Sequence, residues 1–135
     1  MGRVTERRRV LRIRDGARSE RADTLAGEEP LEIRVNGRRL AVTMRTPGDD
    51  FALATGFLVS EGVVAAPGEV ARVTYCTGTG PAGAAAYNVV DVRLAPGAGP
   101  SGEFWEGLER RVYTTSSCGL CGKASLDAVR TTARW

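Results

Sequence analysis

Two cysteines three residues apart are the residues of this sequence best suited to chemistry. Cys118 and Cys121 lie in Tyr-Thr-Thr-Ser-Ser-Cys-Gly-Leu-Cys-Gly-Lys, residues 113–123. The β-branched and aromatic residues at 111–115 predict a strand, and residues 124–130 have helical composition. We therefore expect the pair on a strand-to-helix connection, close to a helix N-terminus.

This position favours a reactive thiolate. The free N–H groups and the dipole of a helix N-terminus stabilise an anion, and Lys123 adds a nearby cation. Ser116 and Ser117 can hydrogen-bond a sulfur anion, and the flanking glycines allow another protein's sulfur to approach. Thiol–sulfur exchange depends on thiolate fraction, nucleophilicity and access. The stretch therefore suits a cysteine that accepts a sulfur atom and hands it on.

Other uses of a CxxC pair stay open at this point. A zinc site usually needs four ligands, and besides the pair the chain offers only Cys76, carboxylates and no histidine. A thioredoxin-like redox pair follows an early βαβ unit, whereas this motif comes late. The alternatives are a CxxC redox or zinc-binding module without sulfur transfer, and a structural fragment without activity of its own.

Composition narrows the class of protein. The chain has 135 residues and a net charge of +3, and its lack of histidine removes His-dependent general-base chemistry and His-ligated metals. No stretch approaches the roughly 20 apolar residues of a membrane span, and residues 1–14 are too charged for a signal peptide. Three cysteines do not suggest a disulfide framework. We expect a cytoplasmic protein without a membrane partner.

The first 27 residues are expected to form a basic, irregular arm. Arg7, Arg8 and Arg9 are consecutive, and residues 10–14 alternate weakly, as an edge strand would. Nucleic-acid binding is one interpretation of the arginine run. Interspersed carboxylates and the absence of aromatic residues favour a solvated arm instead.

A hairpin is predicted next. Residues 30–35 and 38–44 alternate apolar with polar side chains, and Asn36-Gly37 between them is the dipeptide preferred by a type I′ turn. The side chains expected to face the core together are Leu31, Ile33, Val35, Leu40, Val42 and Met44.

One helix and a second hairpin follow. Thr46 is expected to cap a helix that ends near Gly62, with Phe51, Ala54 and Leu58 on its buried face, widened by Leu53 and Phe57. Residues 70–76 and 87–94 read as strands. The Gly-rich residues 77–84 favour a hairpin connection over a phosphate loop. Cys76 is expected to be a partly buried strand-end residue, and residues 103–110 a short helix.

Residues 113–125 resemble the cysteine loop of the formate dehydrogenase accessory sulfurtransferases, the FdhD/NarQ family. The upstream order is similar too: the family shares Glu-Glu-Pro-Leu (28–31), Val-Asn-Gly (35–37), Met-Arg-Thr-Pro-Gly-Asp (44–49) and Ala-Thr-Gly-Phe-Leu-Val-Ser-Glu-Gly (54–62). The resemblance runs from about Val10 to the end of the chain.

The resemblance implies a sulfurtransferase. Such proteins take persulfide sulfur from a cysteine desulfurase and pass it to the molybdenum bis(molybdopterin guanine dinucleotide) cofactor of formate dehydrogenase. Cys118 would be the persulfide intermediate and Cys121 its partner in relay or resolution. The desulfurase and the dehydrogenase are the implied partners, together with a second copy in a homodimer; nucleic acid is not.

The resemblance also implies an α+β fold of antiparallel hairpins with one packed helix, leading into the start of a cytidine-deaminase-like α/β domain. The expected parts are the arm (1–27), an N-terminal domain (28–112) and the cysteine loop with the first helix of a second domain (113–135). Family members are about twice this long; their second half carries histidine-containing stretches absent here and also supplies the binding site for the cofactor. The chain is therefore expected to be a fragment that binds no cofactor alone, a prediction that nanomolar guanine nucleotide binding would contradict.

Overall fold

The computed structural model of the chain describes residues 4–76, 78–79 and 85–107. Its strands are β1 Thr5–Arg14, β2 Ala17–Ala26, β3 Glu29–Val35, β4 Arg38–Arg45, β5 Val70–Tyr75, β6 Gly78–Thr79, β7 Ala85–Ala86 and β8 Val89–Leu94. Helix α1 spans Asp50–Ser60, a 3₁₀ turn spans Pro67–Glu69, and residues 102–107 are helical. The predicted α+β class, with antiparallel hairpins and one packed helix, is confirmed.

The N-terminal residues do not form an irregular arm. β1 and β2 pair antiparallel along their whole length, from Thr5 opposite Ala26 to Arg14 opposite Ala17. The turn residues Asp15 and Gly16 both have positive φ, 50° and 80°, as a type I′ turn requires. The prediction missed this hairpin because nearly all its side chains are exposed, so no buried face imposes an alternating pattern.

The hairpin of β3 and β4 is confirmed, with Asn36 and Gly37 at φ 50° and 81°. A bulge beside Ile33 shifts the register, so that Ala41 lies opposite Ile33 and Val42 opposite Glu32. Directly opposed residues of antiparallel strands share a face. Val42 is buried, but it lies on the opposite face of the sheet from Ile33. Met44 lies on that same opposite face, because it pairs with Pro30. The prediction that Val42 and Met44 share a face with Ile33 is therefore wrong.

The core lies between α1 and one face of a four-stranded sheet with the order β4-β3-β8-β5. β3 and β8 are parallel, with Ile33 beside Val90 and Val35 beside Val92. The main apolar cluster of the described residues includes Leu31, Ile33, Val35, Leu40, Ala54, Leu58, Val90 and Val92. Pairing of β3 with β8 was not predicted, because it joins segments more than fifty residues apart.

Helix α1 begins at Asp50, not at Thr46, and Asp49 occupies the N-cap position without a side-chain cap hydrogen bond. Ala54 and Leu58 are fully buried, as predicted, but Phe51 and Leu53 are exposed. The end at Gly62 is confirmed. Gly62 has φ 75°; its N–H donates to the Val59 oxygen and that of Val63 to the Leu58 oxygen, the paired bonds of a Schellman motif.

The second predicted hairpin is also confirmed. β5 pairs antiparallel with β8, and the short strands β6 and β7 pair within the connection between them. The short helix predicted at 103–110 is present over residues 102–107. The predicted strand at 111–115, the cysteine loop, the helix at 124–130 and the deaminase-like domain lie outside the described residues. The three domain boundaries stay predictions.

Candidate functional site

A buried ionic cluster closes the core at one end of the sheet. Arg45, the last residue of β4, binds Asp50 with two parallel contacts, Nε to Oδ1 at 3.0 Å and Nη2 to Oδ2 at 3.1 Å. Both side chains are 3% exposed. Glu29, opposite Arg45 in the sheet, accepts a further contact from Nη1 at 3.2 Å. Such fork-to-carboxylate geometry is the strong form of an ion pair.

The same guanidinium ties in the segment before β8. Arg45 Nη2 also donates to the backbone oxygen of Tyr87 at 3.1 Å and to Oδ1 of Asn88 at 3.2 Å. Arg45 therefore joins β3, the start of α1 and the approach to β8 at a single point. A buried guanidinium needs this many acceptors, since each unpaired donor would lose its hydration without compensation.

Tyr75, at the end of β5, completes the cluster. Its hydroxyl donates to Asp50 Oδ2 at 3.1 Å, and its ring packs against those of Phe51 and Tyr87 with centroids 4.7 and 5.2 Å away. Burial raises the pKa of the Tyr75 hydroxyl, and the hydrogen bond to the Asp50 carboxylate and its negative charge raise it further. The hydroxyl therefore remains a proton donor at neutral pH.

Sequence reasoning missed this cluster. Nothing in the predicted helix start indicated that the Asp50 carboxylate pairs with Arg45 in the core. One signal was available: Arg45 follows an apolar alternating strand and precedes two carboxylates by a few residues. The Arg45 guanidinium is surrounded by hydrogen-bond acceptors, and the carboxylates and the Tyr75 hydroxyl are engaged in these contacts. The arrangement is therefore suited to fixing strand ends and a helix start rather than to covalent chemistry.

Cys76 is the thiol of the described residues and lies directly after β5. It is half-buried and free, and its backbone N–H donates to the Val89 oxygen at 2.9 Å. The prediction of a partly buried strand-end residue is confirmed. The described residues contain no group of three or more His, Cys, Asp or Glu side chains placed to hold a metal ion.

Cys118 and Cys121 lie outside the described residues, as do Ser116, Ser117 and Lys123. Their expected position near a helix N-terminus and their chemistry stay predictions.

Within the described ranges, no helix combines the length and apolar character needed to cross a membrane.

Comparison with known families identifies the class of protein to which this fold belongs. The sequence model of the FdhD/NarQ family matches residues 26–134. The chain therefore belongs to the FdhD/NarQ family, as the residue patterns predicted, and the matched range includes the cysteine loop.

The curated relatives that this chain resembles are named sulfur carrier proteins. The chain is 69% identical over 135 residues to the sulfur carrier protein FdhD of Streptomyces avermitilis and 68% identical to that of Streptomyces coelicolor. Both alignments cover all of this chain and 47% of the relative. The chain thus spans about half the length of the curated relatives it matches.

A solved structure agrees with the fold. The crystal structure of a candidate formate dehydrogenase accessory protein from Desulfotalea psychrophila superimposes with a TM-score of 0.55 at 25% identity. The match covers 69% of this chain and 35% of that protein.

Proposed function

We propose that this chain provides the sulfur-accepting cysteine loop of a cytoplasmic sulfur carrier for formate dehydrogenase maturation. The observation that carries the proposal is the coincidence of two facts. The pair Cys118 and Cys121 lies inside the range matched by the FdhD/NarQ family, and relatives covering the whole chain are named sulfur carrier proteins.

The chemistry proposed for Cys118 is persulfide exchange with a cysteine desulfurase. The Cys118 thiolate attacks the outer sulfur of the desulfurase persulfide. The sulfur–sulfur bond of the donor breaks, a new one forms on Cys118, and the donor cysteine leaves as a thiolate. Sulfur and electrons balance without an added oxidant or reductant. Cys121 acts as the partner thiol in relay or resolution.

The destination of the sulfur is the molybdenum bis(molybdopterin guanine dinucleotide) cofactor of formate dehydrogenase, which is a substrate of this reaction. We propose that the 135-residue chain accepts sulfur but does not hold this cofactor by itself. The described residues contribute the scaffold: the Arg45 cluster fixes strand ends and the helix start, which supports a stable domain preceding the cysteine loop.

Intact-mass spectrometry tests the proposal. The chain is incubated with a purified cysteine desulfurase and L-cysteine, and an adduct of about 32 Da, one sulfur atom in persulfide form, is expected. Cys118→Ala should abolish it. Cys76→Ala is the matched control and should retain it, because Cys76 is half-buried in the strand connection.

The alternatives give different masses. An adduct that survives in Cys118→Ala would contradict the assignment of the acceptor. Loss of two protons without added sulfur would favour a redox pair, and stoichiometric zinc would favour a metal site. A chain that takes up neither sulfur nor zinc and forms no disulfide would be a scaffold alone.

A further inference from the structure

The face of the sheet that α1 covers is unevenly buried. On the central strands β3 and β8, the side chains of this face are fully buried, among them Ile33 and Val90. On the edge strand β5, the side chains of the same face, Val70, Val73 and Tyr75, are only partly buried. Strands lie about 4.8 Å apart and a helix is about 10 Å wide, so one helix covers about two strands. β5 therefore lies at the margin of the area that α1 covers.

An apolar groove lies along this margin, between α1 and the start of β5. It has a volume of about 280 Å³, and its lining includes Val59, Val64, Pro67 and Val70. Among the described lining residues, only Thr55 has a polar side chain. Val59 is exposed and Val70 only partly buried. The groove is therefore an open apolar surface at the edge of the core.

Helix α1 has the composition of a helix that is covered on more than one side. Between Asp50 and Ser60 the only charged residue is Asp50 itself, and its carboxylate is buried against Arg45. A surface helix carries charged or polar residues on its outer face, whereas a helix that is apolar all round is buried. Phe51 and Val59 are nevertheless 40% and 57% exposed. This side of α1 is therefore suited to receive another apolar element.

The last described helix lies close to one end of the groove. It spans residues 102–107, and its Phe104 packs against the core. A Cβ at Gly62 would lie 3.7 Å from Cζ of Phe104, so this helix lies beside the C-terminal end of α1. Val59 and Val64, which line the groove, are within three residues of Gly62. The chain that follows residue 107 therefore starts near the groove.

That following chain contains a predicted helix with an apolar side. Residues 124–130, which lie outside the described residues, have helical composition, and Leu126 and Val129 are spaced to share one side. The 16 residues between the two helices, 108–123, can span about 50 Å when extended, and α1 is only about 16 Å long. A helix this short is not stable alone in water, so it needs a surface to pack on. Both the groove and the segment fall within the family match at 26–134.

We infer that the predicted helix of residues 124–130 packs in the groove between α1 and β5, with the side of Leu126 and Val129 turned towards Val59. The helix expected to begin a second domain then contacts the first. The cysteine loop is anchored on both sides, by the helix of residues 102–107 before it and by the packed helix after it. The consequence for chemistry rests on the proposed function: fixing both ends of the loop restricts the positions that Cys118 can take.

Hydrogen–deuterium exchange of the 135-residue chain, read by mass spectrometry, tests the inference. The amides of residues 124–130 should exchange about tenfold more slowly than in a disordered peptide, because so short a helix is protected only when it is packed. Val59→Asp should remove most of this protection. Leu11→Asp makes a similar change on β1 at a side chain of equal exposure, 57%, and should leave the protection unchanged.

Leu126→Asp is the reciprocal variant, and it keeps the test decisive if Val59→Asp unfolds the chain. It places the carboxylate on the packing helix and leaves α1 unaltered. The amides of residues 64–70, which border the groove, should then exchange about fivefold faster than in the unaltered chain. Urea midpoints establish which variants remain folded.

Three results would overturn the packing. They are unprotected amides at 124–130 in the unaltered chain, equal exchange in Val59→Asp and Leu11→Asp, and protection lost on dilution, which would show that a second copy supplies the helix. Sulfur uptake from a desulfurase, measured on the same samples, separates this inference from the proposed function. Sulfur on Cys118 without a protected helix contradicts the packing and leaves the carrier intact. A protected helix without sulfur on Cys118 supports the packing and contradicts the transfer.

Discussion

Arg45 and Asp50 form a buried, two-point ion pair across the junction of β4 and α1, with Nε–Oδ1 and Nη2–Oδ2 distances of 3.0 and 3.1 Å. They are only five positions apart in the sequence, yet they belong to different layers of the fold, the sheet and the helix that covers it. The pair therefore sets where the helix starts relative to the sheet.

Replacing Arg45 should be strongly destabilising. Arg45→Met leaves Asp50 as a buried carboxylate without its cation, and breaking one side of a buried pair costs about 3–5 kcal/mol. Urea denaturation followed by circular dichroism measures the loss. Arg9→Met removes an exposed arginine whose ion pair is 2.6 Å long, and should change stability little because exposed pairs are screened by solvent. Equal losses in the two variants would contradict a special role for the buried pair.

Tyr75 should make stability depend on alkaline pH. Its pKa is raised in the folded chain, so its contribution is fully present below the unfolded tyrosine value of about 10. This contribution to stability is lost as pH rises through the pKa of Tyr75 in the folded chain, because the unfolded chain releases the tyrosine proton at a lower pH than the folded chain does. Tyr75→Phe should cost about 1 kcal/mol at neutral pH by removing the bond to Asp50, and should flatten the decline in stability above about pH 10.

The control for Tyr75 is Tyr87→Phe, which keeps the ring against Tyr75 and the backbone oxygen that accepts from Arg45. Urea unfolding of both variants across the alkaline range gives the comparison. A decline above pH 10 that persists unchanged in Tyr75→Phe would show that the Asp50 contact does not govern it.

Two glycine-to-alanine changes should have opposite signs. Gly37 has φ 81°, a conformation that alanine adopts only with strain, and a Cβ there would lie 3.7 Å from the Arg93 side chain. Because that distance is an ordinary van der Waals contact, Gly37→Ala should cost only the backbone strain, about 1–2 kcal/mol. Gly56 lies inside α1 with nothing near a built Cβ, and Gly56→Ala should stabilise by about 0.5–1 kcal/mol. Thermal unfolding of both variants distinguishes the two cases, and stabilisation by Gly37→Ala would contradict the turn geometry.

Much of the fold follows from local sequence. Asn36-Gly37 specifies its turn because only a few residue types accept positive φ at both positions. Gly62 specifies the helix end for the same reason. The cysteine pair, with its small and polar neighbours, predicts a sulfur-handling loop without any structure, and the family match agrees with the order of motifs around it.

Strand register, the pairing of distant strands and the partners of buried charges were determined only by the tertiary structure. The bulge beside Ile33 moves Val42 to the other face, since one extra residue reverses a period of two. The parallel pairing of β3 with β8 and the bonds from Arg45 to Asn88, 43 residues away, depend on which segments meet in space. The hairpin of β1 and β2 forms without a buried face, so the weak alternation of residues 10–14 indicated part of one strand but not its pairing. Turns and caps are local conformational preferences, which the sequence determines by itself, whereas register and buried charge partners are fixed only when distant segments pack together.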